Sequence, residues 1–174
     1  MVGVDRSDCF QHLIDRVCQR LKGWKEKILS VQGKEFLVKS VAQAIPSYAM
    51  SVFKLPKGVC KSITDEIAGF WWGDGEEKKK MHWVAWWKLC VPKKKGGMGF
   101  RNMRSFNQAL LAKQAWRLLT VPNSLVARVL KARYFKDCSI LSATCPANAS
   151  FMFRSLLHRR DLLREGLVWR VGDG

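Results

Sequence analysis

Apolar residues return every three or four positions through most of this chain, a spacing that suits helices and leaves little room for sheet. Phe10, Leu13, Ile14, Val17, Cys18, Leu21, Trp24 and Ile28 share one face at 3.6 residues per turn, with Arg16, Gln19, Arg20, Lys22 and Lys27 opposite. This predicts an amphipathic helix in spite of Gly23. "GKEFLVKSVAQAIPSYAMSVF" predicts a second helix, kinked at Pro46 because proline lacks an N–H and crowds the preceding turn. A third follows Pro56, buried through Val59, Ile63, Ile67 and Phe70 and closed by "WWGDG".

Further on, "SFNQALLAKQAWRLLT" sets Leu111, Ala112, Ala115, Leu118 and Leu119 against Lys113, Gln114 and Arg117, and Pro122 ends it. "NSLVARVLKARYF" repeats the pattern: Asn123 or Ser124 serves as N-cap, Leu125, Val126, Val129 and Leu130 face inward, and Arg128 and Lys131 face outward. "SATCPANAS" reads as a polar loop, "FMFRSLLHRRDLL" as a short helix and "GLVWRVGDG" as a strand-like end. The expected fold class is mainly α, with at most one short β-hairpin around residues 81–100.

Between the helical halves lies "GFWWGDGEEKKKMHWVAWWKLCVPKKKGGMGF", Gly69 to Phe100, which holds five of the eight tryptophans and seven lysines. Taken alone, it reads equally as a basic loop beside a Trp-rich mini-core or as a nucleic-acid surface where lysines neutralise phosphates and an aromatic stacks on a base. The whole chain favours the second reading, since 31 Lys and Arg face 14 Asp and Glu for a formal +17. Such a field attracts polyanions, nucleic acid first and an anionic membrane surface second. Spacing predicts that Trp71 or Trp72, and Trp83 or Trp86, are buried, and that Trp87 beside Lys88 is partly exposed.

A hydrophobic content of 48% is too high for a disordered basic tail. No apolar run reaches the ~18 residues that span a bilayer, and the start lacks the pattern of a signal peptide. The expected location is intracellular, nucleus or cytoplasm. Cys9, Cys18, Cys60, Cys90, Cys138 and Cys145 lie far apart and read as free thiols; Cys138, Cys145 and His158 make only a partial zinc set without a fourth ligand. There is no Asp-Asp pair for a two-metal site. Asp65 and Glu66 point different ways on one helix, and Glu76 and Glu77 sit beside Lys78 to Lys80. "KKKGGMGF" lacks the GxxxxGK[ST] pattern, so its glycines are read as turn-formers. His12, His82 and His158 have no nucleophile at a suggestive spacing.

"LKGWKEKILSVQGKEFLVKSVAQAIPSYAMSVFKLP", "FWWG", "MHWVAWWKLCVPKKKGGMGFRNMRSFNQALLAKQAWRLL" and "SLVARVLKARYF" closely resemble, in order over nearly the whole chain, the region after the polymerase palm in plant LINE-type (non-LTR) retrotransposon reverse transcriptases, whose genes are often labelled ribonuclease H-like. Two departures are Ala68-Gly69-Phe70 where the family tends to carry Ala-Arg-Phe, and Phe151-Met152-Phe153-Arg154 in place of Tyr-x-Trp-Arg. The resemblance implies a helical thumb-like segment over 1–75, a basic Trp/Gly-rich connector over 76–104 and a helical C-terminal segment over 105–174. It also implies that "MVG" matches an internal methionine of a longer protein. The palm carboxylates and their Mg²⁺ would then lie upstream, and any zinc-binding or ribonuclease H segment downstream.

The expectation is a chain without catalytic residues, metal or cofactor. It would help to grip an RNA–DNA hybrid or structured RNA, and would work beside the palm and downstream domains, away from any membrane. The candidate phosphate contacts are Lys78, Lys79, Lys80, Lys88, Lys93, Lys94, Lys95, Arg101, Arg104, Lys113, Arg117, Arg128 and Lys131. Two further readings stay open: a helical protein-interaction module, and a decayed retroelement fragment without a cellular role.

Overall fold

The computed structural model describes residues 7–25, 27, 29–75 and 80–167; Ile28, Lys78, Lys79, the Glu76–Glu77 turn and the strand-like end beyond Leu167 lie outside them. Among the described residues the chain is mainly α and holds no strand. The helices are α1 (Gln11–Lys25), α2 (Val31–Leu37), α3 (Ser47–Val52), α4 (Lys57–Trp72), α5 (Trp86–Leu89), α6 (Met103–Thr120), α7 (Leu125–Tyr134), α8 (Phe151–Leu157) and α9 (Arg160–Gly166). Two compact units emerge, Met1–Ala49 with Leu55–Asn107, and Met50–Lys54 with Gln108–Gly174.

In the first unit α1 packs on α4, and a π-helical turn, Val38–Ala42, lies against both. The predicted stripe of α1 meets this surface through Phe10, Leu13, Val17 and Leu21, all buried. The faces of α4 also match their periodicity. Val59, Ile63, Ile67 and Phe70 are buried, and Gly73 ends the helix at φ 78°, a left-handed cap that a side chain would disfavour. Full burial of Ile63 or Ile67 contributes roughly 1.5–3 kcal/mol per side chain.

The second predicted helix differs from expectation. It starts earlier, at Val31, because the Ser30 side chain accepts the Gly33 N–H at 3.1 Å. It also breaks where a kink was expected: the π turn runs into turn residues 43–46, and α3 restarts at Ser47. Proline has no N–H to continue the ladder and drives the residue before it out of helical conformation. At the break, the fully buried Gln43 amide donates to the Arg101 carbonyl and accepts the Arg101 N–H at 3.2 Å, so burying it strands no polar group.

The core of the second unit gathers Leu111 and Ala115 of α6, Leu130 of α7, then Phe135, Ile140, Ala143, Ala149, Phe153, Leu156 and Leu157. Phe153 stacks between Tyr134 (4.2 Å) and Phe135 (6.1 Å). The stretch read as a polar loop is therefore pinned to the core at both ends, by Ala143 and Ala149. The single helix expected from "FMFRSLLHRRDLL" is divided by a turn at His158–Arg159 into α8 and α9.

On α7 the predicted inward face is corrected. Ser124 caps it as expected, accepting the Ala127 N–H at 3.3 Å, but Leu125, Val126 and Val129 are 73%, 55% and 54% exposed. Of the four, Leu130 is buried as expected, in the core cluster with Phe153, and the helix's other buried residue is Ala127. Seven apolar residues in ten leave periodicity with more than one solution, and the packed neighbour decides which one holds.

Candidate nucleic-acid interface

The connector is organised around Phe100, which is buried at 2% exposure. Trp86 stacks on it at 5.0 Å and 6°, and Trp71 meets it edge-on at 5.0 Å and 76°. Trp71, Trp72 and Trp86 are only half-buried, so the expectation that one tryptophan of each pair is buried is corrected: the smaller ring fills the centre and the indoles wall it. Trp83 is 77% exposed. Trp87 is exposed as expected, with the Lys88 ammonium 5.6 Å from its ring centroid.

After α5 the chain folds back on itself. Lys93–Lys95 form one 3-10 turn, and the six amides from Lys95 to Phe100 all donate to carbonyls between Leu89 and Lys93. Gly96 sits at φ 84°, and a Cβ on Gly97 would lie 2.0 Å from the Val91 carbonyl oxygen, so neither position tolerates a side chain without rearrangement. A phosphate-cradling loop needs free amides pointing at its ligand; these are consumed internally. The glycines make the turn, and recognition of an anion is left to the side chains.

The structure distributes the candidate cations over both units. In the first, Lys80, Lys88, Lys94, Lys95, Arg101 and Arg104 are exposed, and the Arg101 guanidinium lies 4.5 Å from the Phe106 ring. Lys93 is spoken for: its Nζ bonds the Glu35 carboxylate at 2.6 Å, and Lys39 bonds the same oxygen at 2.7 Å. These two ammonium groups hold Glu35 below the usual carboxylate range. In the second unit Lys113 and Arg117 are exposed one turn apart on α6, and Arg128 and Lys131 are exposed on α7.

A second basic locus, absent from the sequence-based candidates, lies in the first unit. Lys22, Lys25, Lys27 and Lys34 line an open cleft of about 650 Å³ with Trp24, Leu29, Phe70, Gly73, Asp74 and Gly75. Burial pushes the Asp74 acid up, but the Lys80 N–H (2.8 Å), His82 (3.2 Å) and the nearby Lys25 charge outweigh it and hold the acid below its ordinary value. The sequence signal was "LKGWKEK", lysines bracketing a tryptophan at the end of α1; nothing in it showed that Lys34, from another helix, joins them.

Among the described residues no three His, Cys, Asp or Glu side chains come together as a metal site, and no helix is long and apolar enough to cross a membrane. All six cysteines are free; Cys9, Cys138 and Cys145 are exposed, Cys60 is buried, and burial together with the Glu66 charge pushes the Cys18 thiol up to about 11.

No family model matches the chain, and no solved structure matches it. Two curated plant proteins do, and they assign this basic helical chain to a family. Over 132 residues it is 46% identical to "Uncharacterized mitochondrial protein AtMg00310" of Arabidopsis thaliana, an alignment covering 75% of this chain and 86% of that protein. The chain belongs to the family of that mitochondrial protein. It is also 38% identical over 172 residues to "Putative ribonuclease H protein At1g65750" of Arabidopsis thaliana, which covers 96% of this chain and 27% of that longer protein.

Proposed function

We propose that the chain corresponds to the region behind the polymerase palm of a LINE-type reverse transcriptase, and that it grips a primer–template RNA–DNA duplex without carrying catalytic groups itself. Three things support the reading: the motif resemblance, the alignment of nearly all of this chain with a longer relative that carries a ribonuclease H name, and the +17 charge. The observation that carries it is the connector turn. Its amides are tied down internally, so Lys94 and Lys95 stand exposed on a fixed backbone while Lys93 anchors the turn to Glu35. Exposed cations on a preordered backbone position a duplex through its phosphates and carry no sequence information. The described residues offer no donor set for Mg²⁺, which in this reading belongs to the palm.

The test is hybrid binding against salt. With about 0.9 of log–log slope lost per phosphate contact on a B-form duplex, Lys94→Ala with Lys95→Ala should flatten the slope by roughly two units and weaken binding across all sequences alike. Unchanged affinity and slope in the folded double variant would remove the turn from the interface. The interaction-module reading has its own support, the apolar strip Leu125, Val126 and Val129 that α7 leaves exposed. It gains if that outcome is found.

A further inference from the structure

The cleft at the end of α1 shares no lining residue with the connector turn. Lys22, Lys25, Lys27 and Lys34 line it, and the Lys34 and Lys80 Nζ atoms lie 3.7 and 3.6 Å from where a Cβ on Gly73 would stand. The lining carboxylate, Asp74, is engaged by the Lys80 N–H and His82. No carboxylate pairs with Lys25, Lys27 or Lys34 among the described residues. The carbonyl ends of α1 and α4 attract cations, which accounts for Lys22, Lys25 and Lys80. The end of α4 also draws the Lys34 ammonium, which reaches it from α2 and lies over the Phe70 ring. Asp74 is the one carboxylate among the described lining residues against four lysines, so the cleft favours an anion.

The wall of the cleft is aromatic. Phe70 is buried with the Lys34 ammonium 5.9 Å from its ring, and Trp24 packs on Phe70 at 6.0 Å while keeping part of its indole in the cleft. A π-surface beside lysine ammonium groups suits a base and its phosphate. About 650 Å³ is the size of a small-ligand pocket: it admits a nucleotide or two and excludes a duplex.

We propose that this cleft binds single-stranded nucleic acid, one base against Trp24 and the flanking phosphates on Lys27 and Lys34. The inference goes beyond the duplex grip and does not depend on it.

The probe is a fluorescently labelled twelve-residue oligothymidylate, read by anisotropy against the full chain. Lys27→Gln with Lys34→Gln should lower the salt slope by about 1.4, two single-strand phosphates at ~0.7 each. Trp24→Leu should weaken binding about tenfold, and Trp24→Phe should restore most of it. An oligothymidylate carrying 5-bromodeoxyuridine should photocrosslink to Trp24 in the unaltered chain, a readout independent of how well any variant folds. Loss with the lysine pair but a crosslink elsewhere would overturn the proposal in favour of a general cationic surface, and so would unchanged binding by all three variants. Hybrid binding by the Lys94→Ala, Lys95→Ala variant reads the other site, so each reading fails separately.

Discussion

Glu35 shows how one side chain decides the use of its neighbours. Its carboxylate, 18% exposed, takes both Lys39 and Lys93, which removes Lys93 from the pool of free cations and ties the connector turn to α2. Because its folded-state pKa lies below the ordinary 4.5, the pairing stabilises the native chain above that value and is lost as pH falls through the depressed folded value. Urea midpoints of the native chain and Glu35→Gln should therefore differ at pH 6 and converge as pH drops below about 4. A constant difference down to pH 3 would show that the ion pair contributes nothing. "VPKKKGG" gave no hint of this pairing, since the partner carboxylate lies more than fifty residues away.

At the level of the helices, α4 was legible from sequence almost residue by residue. Its apolar positions admit one buried stripe, and proline and glycine mark its ends. By contrast, α7 was legible only at Leu130: its apolar residues surround most of the helix, and Leu130 is the one of the four expected positions that joins the distant Phe153 cluster. The difference is measurable. Ile63→Ala should cost about 2–5 kcal/mol in urea unfolding, the range for emptying a sealed site, whereas Val129→Ala should stay within about 0.5 kcal/mol. Equal losses at the two positions would restore the face read from periodicity. The candidate site divided in the same way. The lysine runs were visible because they are contiguous, and the α1 cleft was hidden because Lys34 reaches it from another helix.

Taken whole, the molecule is a cationic helical chain whose described carboxylates are dispersed or paired with lysine, arginine or histidine. Purified with Mg²⁺ or Mn²⁺, it should neither extend a primer nor cut the RNA strand of a hybrid; either activity, copurifying with the chain, would refute the non-catalytic reading. Trp83 and Trp87 stand outermost in the connector, and the positive field around them has an optical consequence. Iodide will be drawn to their excited indoles and caesium repelled. The red edge of the emission should therefore be quenched far more by the anion, and the disparity should shrink as an inert electrolyte is added.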